Sequence, residues 1–136
     1  TFKKINLKKD DLDYKQYNEF LKDSENHQPS CDDIKKNLIR KKIFFNLKLV
    51  KGNVLQTLYK QKIKKISFIL LDLDIYEPTS FVLNNVWDKL SKNGIILLDN
   101  YKVFKGETKA VNEFVKRRKI KIFKENFFRN FYFLKK

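Results

Sequence analysis

The chain predicts an open α/β fold: a mostly parallel sheet flanked by helices and finished by an antiparallel C-terminal hairpin. Three observations predict it. Residues 66–71 (Ile66-Ser67-Phe68-Ile69-Leu70-Leu71) and 95–98 (Ile95-Ile96-Leu97-Leu98) are nearly continuous apolar runs, as in strands buried on both faces of a parallel sheet. Between them Val82, Leu83, Val86, Trp87 and Leu90 recur at three- and four-residue steps, the period of a helix with one apolar face. In the tail, two β-prone runs, 120–123 and 128–134, are separated by Lys124-Glu125-Asn126, which is a hairpin signal.

Each element follows in chain order. Residues 1–29 are polar and charged with scattered Tyr14, Tyr17 and Phe20, and predict a loop with a short helix over 12–21. Ser30 has the chemistry of an N-cap, with Asp32 and Asp33 in the first turn. Ile34, Leu38 and Ile39 then carry a helix to about Lys42. Residues 47–50 predict a short strand ending at Gly52, and 54–61 a helix with Leu55 and Leu58 facing inward. The strand 66–71 stops at Asp72. Pro78 suits the first turn of a helix over 79–90, which Asn93-Gly94 is expected to end. The strand 95–98 ends in Asp99, so strand, helix and strand form one right-handed βαβ unit, with Trp87 largely buried. Ala110, Val111, Phe114 and Val115 mark a further helix. The Phe residues of the tail are assigned to the core rather than to a base-stacking surface.

With 136 residues, 42% of them hydrophobic, the chain fits one domain: 1–29 as the loop and short-helix region, 30–136 as the α/β core. It contains no Met, even at position 1, and is read as part of a longer protein whose N-terminal strands are missing here. No run approaches the roughly 18 apolar residues needed to cross a bilayer, and no signal peptide is visible. The expectation is a soluble, cytoplasmic protein with no membrane partner; self-association is compatible with it. The single Cys31 excludes an intramolecular disulfide and fits a reducing compartment; it is read as an ordinary small residue near a helix start. His27, in a polar stretch with no Cys or His at ligand spacing, is a loop histidine.

A formal charge of +15, from 31 Lys and Arg against 16 Asp and Glu, raises nucleic acid as a partner. Its distribution argues against that class. The positives are nearly all Lys and are scattered along the chain. The one dense run, Lys116-Arg117-Arg118-Lys119, closes a predicted helix, where cations suit the helix dipole and the solvated face.

In open α/β sheets, ligands bind beyond the carboxyl ends of the strands, where loops and helix N-termini converge. Asp72 and Asp74 follow the first strand at i and i+2, and would point to one side if extended geometry persists. Asp99 follows the second. Adjacent strands lie about 4.8 Å apart, so Asp72 and Asp99 could share a hard cation such as Mg²⁺, which takes oxygen ligands.

The stretch Leu71-Asp72-Leu73-Asp74-Ile75-Tyr76-Glu77-Pro78-Thr79 is followed by Leu90, Gly94, residues 95–98 and Asp99-Asn100-Tyr101. Gly106, Lys109-Ala110-Val111 and Phe114 come next, and upstream stand Leu49-Val50-Lys51-Gly52, Gln56-Thr57-Leu58 and Thr1-Phe2. This ordered set resembles the macrocin O-methyltransferase family, whose pattern runs V-K-G, D-T-L, L-D-x-D-x-Y-E-S-T, D-D-Y and G-x-x-x-A-V-x-x-F. The resemblance covers most of residues 47–114.

It implies a Rossmann-like class I methyltransferase sheet and metal-assisted transfer of a methyl group from S-adenosyl-methionine to a hydroxyl of a sugar or related small molecule or glycan. By position, Asp72, Asp99 and Asn100 fall on the metal-binding residues, with Mg²⁺ as the implied metal, and Asp74 falls on the general base. The chain departs from the pattern in three places. Asn100 stands where the family has an acid, and Pro78 where it has Ser. With three glycines and no G-x-G element, the Gly-rich turn that cradles the cofactor is absent, so no cofactor-binding residue is assigned and the isolated chain is expected to be inactive. Two other classes compete: a basic module binding nucleic acid or an anionic glycan, and a non-catalytic methyltransferase remnant.

Overall fold

The computed structural model describes residues 30–42, 46–125 and 130–136. The short helix expected over 12–21, His27 and the turn of the C-terminal hairpin lie outside them.

Helix α1 (Cys31–Arg40) begins where its cap chemistry places it. The Ser30 side chain accepts from the Asp33 amide, and the Asp33 carboxylate accepts from the Ser30 amide, a reciprocal capping box. Residues 47–50, expected as a strand, form none. Their apolar side chains are in place, but a strand is completed by hydrogen bonds to a neighbour, and among the described residues nothing pairs with them; Leu47, Leu49 and Val50 are exposed. Helix α2 (Val54–Thr57) starts at the Asn53 cap and tightens into a 3₁₀ turn, Leu58–Lys60.

The βαβ unit is present. Strand β1 (Ile66–Leu71) runs parallel and adjacent to β2 (Leu90–Leu98), and α3 (Tyr76–Val86) links them. Two boundaries differ from expectation. The helix starts three residues earlier, so that Pro78 lies in its first turn. It ends in a 3₁₀ turn, Trp87–Lys89, leaving Leu90 to the strand. Asn93-Gly94 therefore interrupts β2 rather than ending a helix. The register jumps there, from Ile66 opposite Leu90 to Phe68 opposite Ile95. Asn93 takes a left-handed φ of 62°, and a Cβ on Gly94 would lie 2.8 Å from the Leu90 side chain. The expectation that Asn93-Gly94 ends the helix is thus corrected: these residues form a bulge within a strand.

Helix α4 (Lys105–Arg118) ends at Lys119 in the left-handed conformation, with its basic run exposed as expected. Strands β3 (Phe123–Lys124) and β4 (Phe131–Leu134) pair antiparallel, and β4 pairs antiparallel with β2, for a sheet order β1-β2-β4-β3. The sheet is parallel where it starts and antiparallel in the rest.

Helices α3 and α4 pack together over one face of this sheet. That face contributes Leu71, Ile96, Leu98 and Phe133, and the helices contribute Leu83, Val86, Val111 and Phe114. Trp87, 9% exposed, meets Phe114 edge-on with centroids 5.5 Å apart. Phe133 is fully buried, so the tail's aromatics serve the core here. The opposite face corrects the expectation that β1 is buried on both sides: Phe68 is 56% and Leu70 54% exposed, since no described element lies over them.

Candidate functional site

The acids stand where the strands end. β1 stops at Leu71, and the Asp99 amide donates to the Leu71 carbonyl at 3.0 Å, which continues the parallel ladder one step and sets the two loops side by side. Asp72 and Asp99 are thereby brought close enough to repel. Partial burial first, and the Asp99 charge second, hold the Asp72 carboxyl above its ordinary range.

Asp74 does not share a side with Asp72 in an extended segment. Its φ is +61°, so the chain turns through a left-handed residue directly after the strand. Such a conformation costs an L-residue on the order of 1 kcal/mol and persists where surroundings impose it. Here the Ile75 amide donates to the Leu73 carbonyl at 2.6 Å, and the Glu107 amide, from the first turn of α4, donates to the Asp74 carbonyl at 3.2 Å. The Asp74 side chain is held as well: Asn100 Nδ2 donates to its Oδ1 at 2.7 Å. Asn100 thus does something a carboxylate in its place could not do without a proton, since an ionised carboxylate has no donor.

Tyr101 fixes the second loop from below. Its hydroxyl donates to Asn112 Oδ1 at 2.7 Å, and its ring meets Phe131 edge-on at 5.0 Å, anchoring the loop to α4 and β4 together.

One residue of this region was missed in the sequence. Glu107 is fully buried, and both carboxylate oxygens lack a well-formed hydrogen bond. Burial dominates its chemistry and pushes its pKa up to about 7; the amides of Asp74 and Asn100 act in the opposite direction, and the Asp74 and Asp72 charges raise it further. The signal was available. Glu107 shares a helix face with Ala110, Val111 and Phe114, a charge on an otherwise apolar stripe.

For a hard cation, the donors are right in kind: Asp72 and Asp99 supply carboxylates whose mutual repulsion a cation would relieve. With Nδ2 committed to Asp74, Asn100 retains Oδ1 as its one side-chain oxygen. Among the described residues, no three His, Cys, Asp or Glu side chains form a ready-made cluster. An open depression of about 440 Å³ lies beside α4, lined by Lys102, Val103, Lys105, Thr108, Lys109, Asn112 and Glu113, and none of the four site residues lines it. No helix of the described residues is long and apolar enough to cross a membrane.

The chain is similar in structure to the O-methyltransferase NovP, with a TM-score of 0.71 and 20% identity over 78% of this chain and 45% of that one. It is also similar to CalS11, a TDP-rhamnose 3'-O-methyltransferase of calicheamicin biosynthesis, with a TM-score of 0.56 and 26% identity over 63% of this chain and 40% of that one. The chain therefore spans less than half the length of either. No curated protein matches it. The macrocin O-methyltransferase (TylF) family matches residues 7–126, the four site residues included. On that match, the chain belongs to the macrocin O-methyltransferase family.

Proposed function

We propose that this chain is the metal- and base-bearing part of an S-adenosyl-methionine-dependent O-methyltransferase that methylates a hydroxyl of a sugar or sugar-bearing small molecule. The observation that carries the reading is the hydrogen bond from Asn100 to Asp74, which joins the loop after β1 to the loop after β2. It brings the Asp74 carboxylate and the Asn100 amide together beyond the carboxyl ends of β1 and β2, the edge at which this fold class binds ligands. Family membership supports the reaction class, and CalS11 supports a sugar acceptor by analogy.

In this reading Asp74 takes the proton of the acceptor hydroxyl. Asn100 orients the accepting carboxylate through its donated N–H. Asp72, Asp99 and Asn100 Oδ1 would hold Mg²⁺, which, when bound, stabilises negative charge on an acceptor oxygen. S-adenosyl-methionine supplies an activated methyl group. No residue of this chain offers the Gly-rich turn for that cofactor; we infer that it lies outside these 136 residues, which form one part of the whole domain.

Methyl transfer by the full-length protein, measured with and without chelator, tests the assignment. Asp99→Ala should abolish metal-dependent turnover. Asp74→Asn should leave metal binding intact and slow turnover by about 10²-fold or more. Asn100→Asp should tighten Mg²⁺ binding through its added charge yet slow turnover, because it replaces the donor to Asp74 with a repelling carboxylate. Full activity of Asp99→Ala after chelation would remove the metal role.

A further inference from the structure

Positive charge is spread along the whole sequence, but at one place the fold gathers it around a concavity. Lys105, Thr108, Lys109, Asn112 and Glu113 recur at three- and four-residue steps on α4 and share one of its faces. With Lys102, from the loop after β2, they line the open depression of about 440 Å³. The lining carries three lysines against one carboxylate, so it is net positive.

Two of these lysines are held in place without being neutralised. The Lys102 ammonium lies 4.9 Å from the Phe131 ring centroid and 6.0 Å from that of Tyr101, and the Lys109 ammonium lies 5.2 Å from that of Tyr76. A cation over a ring keeps its charge for a further partner. Both tyrosines are pinned in turn: Tyr101 donates to Asn112 Oδ1 at 2.7 Å, and Tyr76 to Glu113 Oε2 at 2.6 Å. The Lys102 amide donates to Thr108 Oγ1 at 2.8 Å, which fastens the loop to α4. Among the described residues, neither ammonium has an ion-pair partner. Because Tyr101 occupies Asn112 Oδ1, that side chain offers its Nδ2 donor to a ligand.

The depression adjoins the acids. Lys102 follows Asn100 by two residues, within about 7 Å along the chain, and the first turn of α4 donates its Glu107 amide to the Asp74 carbonyl at 3.2 Å. The dense basic run is elsewhere: from Lys105 to Lys116 the helix rises roughly 16 Å.

We propose that this depression is a phosphate subsite, in which Lys102, Lys109 and Asn112 hold the phosphate of a phosphorylated sugar. Lysine serves a phosphate as a point charge, and the volume is that of a small-molecule pocket rather than of a track for nucleic acid. That the sugar is the methyl acceptor rests on the proposed function; the phosphate binding does not.

The test is calorimetry on the full-length protein with chelator present, so that no divalent cation bridges protein and phosphate. The probes are a hexose 1-phosphate, a nucleoside diphosphate hexose and the free hexose. Both phosphorylated probes should bind at least about 10-fold tighter than the free hexose, and the tighter of the two shows whether one phosphate or two are held. Lys102→Gln/Lys109→Gln should weaken them by roughly 10- to 100-fold, the scale of lost hydrogen bonds to a charged group, with thermal unfolding unchanged. Lys116→Gln/Lys119→Gln removes the same charge beyond the Debye length of about 8 Å and should change binding less than about 3-fold. Equal losses in the two double variants would reveal a diffuse basic surface and overturn the subsite. Wild-type binding in Lys102→Gln/Lys109→Gln, or no preference for the phosphorylated probes, would overturn it as well. So would a single-stranded oligonucleotide that binds more tightly than either probe and depends on the same two lysines. Methyl transfer separates the two readings. A wild-type protein that binds the phosphorylated hexoses through these lysines yet methylates no sugar would sink the proposed function and leave the subsite standing. Wild-type kcat/KM for a phosphorylated acceptor in Lys102→Gln/Lys109→Gln would sink the subsite and leave the function.

Discussion

The two faces of the sheet are built from similar residues and meet different fates. On one, Leu71, Ile96, Leu98 and Phe133 are covered by α3 and α4 and buried completely or nearly so. On the other, Phe68, Leu70 and Ile95 are exposed, with Leu97 and Tyr132 beside them only partly covered. The register makes this a property of faces rather than of strands, since Phe68 is aligned with Ile95 and Ile69 with Ile96. Composition alone does not bury a side chain; an element must lie over it. The open face is apolar and, among the described residues, no element covers it.

The sharpest way to break this comparison is truncation on the covered side. Phe133→Ala should cost about 3–5 kcal/mol, the range for large aromatic truncations in a packed core, measured by denaturant unfolding. A loss under 1 kcal/mol would mean that the helices do not seal that face. A smaller effect concerns the charge lying beneath the same cover. Glu107 binds its proton more tightly in the fold, near 7, than its ordinary value of 4.5. Its contribution thus favours the fold at acid pH and is lost as pH rises from 4.5 through 7, by at most about 1.4 kcal/mol per pH unit. Glu107→Gln should flatten that decline in thermal unfolding followed between these pH values; parallel curves for the two proteins would show the carboxyl to be solvated. The smallest effect belongs to the open face. Phe68→Ser should change the stability of the 136-residue chain by no more than about 0.5 kcal/mol. Repeating it in a longer form of the protein sharpens the contrast: a cost of about 2 kcal/mol there would show that further elements cover the face.

Much of the site was legible because it follows from strand ends. Asp72 and Asp99 were paired from the order strand, helix, strand, and the Asp99 amide bound to the Leu71 carbonyl bears that adjacency out. The relation of Asp74 to Asp72 was misjudged for a local reason: the alternation of sides holds only while the backbone stays extended, and the chain turns left-handed at Asp74. Asn100 was seen only as a weakened metal ligand. Its role as a donor to Asp74 depends on a contact across 26 positions of sequence, which no local pattern encodes.

The sequence by itself determined the elements that local chemistry dictates: the capped start of α1 at Ser30, the helical stripe of α3, the strands bounded by Asp72 and Asp99, and the final hairpin. Hydrogen-bonding caps and hydrophobic period act within a few residues, so they can be read there. Tertiary structure alone decided three things. It left residues 47–50 without a strand because no neighbour among the described residues pairs with them, and it turned Asn93-Gly94 into a bulge because β2 runs on through it. It also placed Glu107 under the two loops of the site, because α4 lies across the sheet with that face inward. Each depends on which groups meet across the fold, and a strand, a bulge or a buried charge is completed only by the partner that faces it.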